Sequence, residues 1–67
     1  MFMEKKIKNY KLIDISDGQT IIVGYYNTQR EAGLVAAGYR AGKKNCSLIL
    51  QEWDSVANQY TYLCFMK

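Results

Sequence analysis

The chain has 67 residues, 49% of them hydrophobic, with a net charge of +3 and neither histidine nor proline. That length gives one small domain with a modest core, and apolar content at this level without low-complexity sequence excludes a disordered tail. Lack of histidine removes the commonest general base and metal ligand, and so mild a charge falls short of a dense duplex-binding stripe.

Met1 to Lys8 reads as a basic, amphiphilic lead-in to a single domain over 1–67, with residues 1–6 expected to fray. Ile7 to Ile15 predicts a strand, and Thr20 to Tyr26, rich in β-branched and aromatic residues, predicts another. Asp17-Gly18 between them is a hairpin signal, because both central residues of a type I′ turn need positive φ. A two-residue loop there places Ile13 opposite Ile22, Leu12 opposite Val23 and Tyr10 opposite Tyr25.

Thr28 to Gly42 predicts the one helix. Thr28 and Glu31 form a capping box, Gly42 suits a left-handed C-cap, and Arg40, Lys43 and Lys44 place positive charge at the negative end of the dipole. From Ala32 to Tyr39 no residue is charged. Ala32, Val35, Ala36 and Tyr39 make one face, while small apolar residues line the other side as well. Gly33 and Gly38 suggest close approach of another backbone, so Gly33, Leu34, Ala37 and Ala41 are a candidate dimer face.

Asn45 to Trp53 and Tyr60 to Lys67 predict two further strands joined by the polar loop Asp54 to Gln59. The expected fold is α+β with the order ββαββ: a four-stranded antiparallel sheet and one helix packed on one face. Pairing Trp53 with Tyr60 places Leu48, Leu50, Leu63 and Phe65 on the helix side, together with Ile13, Ile15, Ile22 and Tyr26. The opposite face then carries Tyr10, Leu12, Val23, Tyr25, Ile49, Gln51, Trp53, Tyr60, Tyr62 and Cys64.

Catalytic chemistry finds little to work with. Cys46 and Cys64 supply half of a zinc ligand set without CxxC spacing, and their predicted positions are too far out of register for a disulfide. Asp17 fits a turn, Glu31 a cap, Asp54 a loop and Glu4 the lead-in, while Asp14 and Glu52 lie in strands within reach of lysines. No metal site, cofactor motif or acid–base pair emerges, and the expectation is a protein that is not an enzyme.

Binding is the better class. Tyr10, Tyr25, Trp53, Tyr60 and Tyr62 would form an aromatic sheet face, with Lys5, Lys6, Lys8, Lys43 and Lys44 to steer an acidic partner or contact phosphates. The leading expectation is a small interaction protein that binds and blocks or modulates a protein or nucleoprotein target, possible homodimerisation included. Direct binding of nucleic acid through stacked aromatics is the first alternative, and a self-assembling structural subunit the second. The sequence carries no signal peptide, long apolar run or lipidation motif, which sets the expectation of a cytoplasmic protein with no membrane partner.

Two resemblances accompany this reading. The segment from Tyr26 to Ala37, Y-N-T-Q-R-E-A-G-L-V-A-A, resembles the strand-to-helix corner of AP2-type and integrase arm-type DNA-binding domains. Those domains place three strands before the helix and read DNA with the sheet, so no base-reading role carries over to a ββαββ chain. As a whole, a very short chain of this topology, containing lysine, asparagine and tyrosine and lacking catalytic residues, resembles the small inhibitors of phages and mobile elements, anti-CRISPR proteins among them. That resemblance implies a protein that works by occupying a surface and needs no chemistry.

Overall fold

A computed structural model describes residues 7–66 of the chain. Its elements are β1 (Tyr10–Asp14), β2 (Ile21–Tyr26), α1 (Gln29–Gly42), β3 (Leu48–Asp54) and β4 (Gln59–Met66). The strands form one antiparallel sheet in the order β2-β1-β3-β4, so the fold is α+β with the expected order ββαββ. Because β2 and β3 are both antiparallel to β1, they run parallel to each other, and α1 carries the chain back across β1. The lead-in over 1–6 lies outside the described residues.

The helix is specified locally at its start. Thr28 Oγ1 accepts from Glu31 N at 3.1 Å, and Glu31 Oε1 accepts from Asn27 N at 3.1 Å, one residue before the cap itself. Its end differs from expectation. Gly42 closes the last turn in helical conformation, and the cap is Lys43 in extended backbone, whose N–H donates to Tyr39 O at 2.9 Å. The first hairpin turn is also wider than two residues, with only Gly18 in the left-handed region (φ 76°). There Gly18 N donates to Ile15 O at 3.4 Å.

The core is small. Leu12, Leu48 and Leu50 are fully buried under Ala32 and Ala36 of α1, whose short side chains let the helix settle close to the sheet. Burial of each leucine contributes about 1.5–3 kcal/mol. Gly33 and Gly38, by contrast, face open space, so the close backbone approach expected at them is absent among the described residues.

Asp14 is the one buried charged residue among those described. Its Oδ1 accepts from Ser16 N at 2.9 Å and Ser47 N at 3.3 Å, and its Oδ2 from Tyr39 Oη at 2.7 Å and Lys43 Nζ at 2.8 Å. A carboxylate so surrounded joins the end of β1, the last turn of α1 and the loop before β3. The Lys43 ammonium holds the Asp14 carboxyl well below the usual carboxylate range, against the opposing effect of burial. Bonding to that carboxylate raises both Tyr39 and Lys43 above their ordinary values.

Two β-bulges and this ion pair reverse much of the expected face assignment. Ile13 does pair with Ile22 and Trp53 with Tyr60, but Val23 is an extra residue in β2 and Leu63 an extra residue in β4. Past each bulge the side chains change face. Tyr10 therefore lies opposite Tyr26, Leu12 opposite Gly24 and Leu50 opposite Cys64. In β1 the buried side is Tyr10, Leu12 and Asp14, so Ile13 and Ile15 fall on the face away from the helix. Phe65 joins them there, and Cys64 turns toward the core.

Candidate binding surface

Antiparallel pairing aligns side chains in rows that cross all four strands, and on the face away from α1 these rows define a surface. One row is Ile22, Ile13, Ile49 and Phe65, apolar from edge to edge. The next is Tyr25, Lys11, Gln51 and Tyr62, and beyond it lie Trp53 and Tyr60. Strand spacing makes each full row about 15 Å wide. Ile13 is closed off by its neighbours, whereas Ile22, Phe65 and Tyr62 are 49%, 47% and 63% exposed. No described element packs over this face.

Its aromatic end is preorganised. Tyr60 packs edge-on against Trp53 with ring centroids 5.1 Å apart and tilts against Tyr25 at 5.7 Å. Lys11 Nζ lies 5.9 Å from the Tyr25 ring centre and 5.5 Å from that of Tyr60, bridging the two by cation–π attraction. Tyr60 Oη donates to Lys8 O at 2.9 Å, and Trp53 N donates to Asn9 O at 2.8 Å, fastening the start of the described chain to this corner. Burial, with Tyr25 beside it, raises the Tyr60 phenol above its ordinary value.

Of the five aromatic residues expected on one face, Tyr25, Trp53, Tyr60 and Tyr62 share it, and the first three touch through Tyr60. Tyr10 is a correction. It lies on the helix side against the core, where its hydroxyl meets Gln29 Nε2 at 3.5 Å, because it alternates in step with the buried Leu12 and Asp14 of β1; the Val23 bulge sets Tyr26 opposite it.

The basic residues are less gathered than expected. Lys43 is drawn into the Asp14 pair and lies 3.5 Å from Asp17 Oδ2, so its charge is internally balanced. Lys8 sits beside the aromatic corner, Lys44 is exposed just past the other end of α1, and Lys5 and Lys6 lie outside the described residues. On the back of α1, Leu34, Ala37 and Ala41 are exposed and Gly33 is half-buried.

Ile22 and Phe65, expected on the helix side, are the surface residues that sequence reading misplaced. Gly24 within a strand was the available signal for the β2 bulge: the Tyr26 ring lies over it, with Cζ 2.8 Å from where a β-carbon would stand. Around Leu63 no glycine marks the second bulge.

Cys46 and Cys64 are both free and half-buried. Among the described residues, no group of three or more His, Cys, Asp or Glu is placed to hold a metal ion, and no helix is long and apolar enough to cross a membrane. No protein-family model matches the sequence, and neither a curated protein nor a solved structure matches the chain.

Proposed function

We propose that this chain is a non-catalytic binding protein of the cytoplasm whose open sheet face docks on a protein surface and thereby blocks or modulates that target. The small phage and mobile-element inhibitors of the anti-CRISPR kind act in this manner. The observation that carries the reading is the sheet face that no described element covers: an apolar row across four strands beside a rigid aromatic corner. Large exposed apolar patches mark interaction surfaces, and aromatic anchors commonly dominate their energetics.

Charge favours an acidic target. Of the described carboxylates, Asp14 and Asp17 face Lys43, Glu31 caps the helix, and Asp54 Oδ1 accepts from Val56 N and Ala57 N in its turn. Glu52 sits in the row on the helix side, which leaves Lys11 as the one charged side chain in the rows of the open face. Carboxylates rimming an apolar patch on the partner would complement this arrangement. Nucleic acid fits less well, because the ring faces of Tyr25 and Tyr60 are already engaged by Lys11.

Affinity capture from the native host with wild type and with Ile22→Lys tests the reading. A protein retained by wild type and lost with the folded variant is the expected result. Retention of the same partner by both removes the open face from the interaction. Oligonucleotide binding at low salt, weakening steeply as salt rises, would replace the protein target with nucleic acid.

A further inference from the structure

The two edges of the sheet are β2 and β4, and they differ in how far they are protected. Sheet edges expose unpaired N–H and C=O groups, which proteins normally blunt with charge, proline, short length or a covering element. β4 is the longest strand, Gln59–Met66, and its sequence Q-Y-T-Y-L-C-F-M holds no charged residue and no proline. Nothing among the described residues pairs with it except β3. The extra residue at Leu63 still leaves regular segments on either side, Gln59 to Tyr62 and Cys64 to Met66. β2 is shorter and runs almost directly into α1.

Both faces of β4 are also incompletely covered. Tyr62 and Phe65 are exposed on the open side, and Leu63, Cys64 and Met66 are only half-buried on the helix side. A strand laid beside β4 would cover apolar atoms on both faces and satisfy its free backbone groups.

From these features we infer that β4 pairs antiparallel with β4 of a second copy, joining two four-stranded sheets into one of eight strands. An antiparallel pair is two-fold symmetric, so the edge of one copy supplies the donors and acceptors that the other needs. An uncharged strand meets itself without like-charge repulsion, although each chain carries +3 overall. Pairing β4 with β4 closes after two copies, whereas pairing β4 with β2 would propagate into a filament. The two-fold axis stands perpendicular to the sheet, so both open faces end on the same side and double the docking surface. The inference does not depend on the proposed target, and a monomer would leave that reading intact.

Light scattering and sedimentation of the full chain across micromolar to near-millimolar concentrations should show twice the 7.7 kDa chain mass and no larger species. Thr61→Lys and Tyr62→Lys, on opposite faces of β4, should each raise the dimer dissociation constant about tenfold or more, because the two-fold axis doubles every introduced charge. Ile22→Lys on the open face and Leu34→Lys on the back of α1 should leave it unchanged. Hydrogen exchange gives an independent readout: a free edge leaves alternate β4 amides fast, whereas a paired edge protects both sets. A monomer at the highest concentration, a dimer dissolved by Ile22→Lys or Leu34→Lys, or fast alternate β4 amides in the dimer would each overturn the inference.

Discussion

Leu50 and Phe65 lie on neighbouring strands and report on opposite faces, so truncating each measures where the core is. Leu50 is 1% exposed, and Leu50→Ala should cost about 3 kcal/mol from lost transfer energy and the cavity left behind. At 0.05–0.15 kcal/mol per residue a chain this short holds about 3–10 kcal/mol in all, so this variant loses about three tenths of its stability or more. Its Tm should fall by about 12–24 °C, at 4–8 °C per kcal/mol for a small domain. Phe65 is half-exposed, and a fully buried phenylalanine contributes about 1.5–3 kcal/mol, so Phe65→Lys should cost about 1 kcal/mol. The lysine stem covers part of the same surface. Urea unfolding followed by Trp53 fluorescence, at concentrations low enough to exclude self-association, supplies both values. A loss from Phe65→Lys as large as that from Leu50→Ala would place Phe65 in the core and refute the bulge at Leu63.

Asp14→Asn should lower stability at neutral pH and flatten the acid limb of the stability curve. The folded carboxyl lies below its unfolded value, so its contribution is complete above about pH 4 and drains away as pH falls below that. Lys43 is raised, so its contribution persists below about pH 10.4 and is lost as pH climbs beyond. Urea midpoints from acid to alkali for wild type and variant check both limbs, and parallel curves would remove the ion pair as their cause. Thr28→Ala should cost about 1 kcal/mol and speed exchange of the Glu31 amide, whose acceptor it deletes; an unchanged exchange rate would deny the cap its role.

The elements were legible because their signals are local. Thr28 and Glu31 bracket the helix start, and apolar β-branched runs mark the strands on each side. Faces were not legible, because they depend on pairing. A single extra residue at Val23 or Leu63 flips every side chain beyond it, and in β4 it exchanged Phe65 for Cys64. Asp14 misled more deeply. In the run Leu12-Ile13-Asp14-Ile15, period-two counting assigns the two isoleucines to the core and the aspartate to solvent. Lys43, Tyr39 and the Ser47 amide from distant segments, with the local Ser16 amide, make the opposite arrangement stable. For the candidate surface, the aromatic residues could be named in advance, apart from Tyr10, but the apolar row through Ile13 could not.

Fold and surface are therefore linked through one residue. Burying Asp14 on the helix side commits Leu12 to the core, and strand alternation then sends Ile13 and Ile15 outward. Ile13 then lines up with Ile22, Ile49 and Phe65 across the sheet, so the apolar row on the open face is the geometric counterpart of the buried ion pair. A chain selected for stability alone could place an apolar residue at position 14 and polar ones at 22 and 65, because a buried ion pair rarely outperforms well-packed hydrocarbon. Exposed isoleucine and phenylalanine opposite a charged core position add nothing to folding by this reasoning, and under the proposed docking function they are the surface a partner would cover.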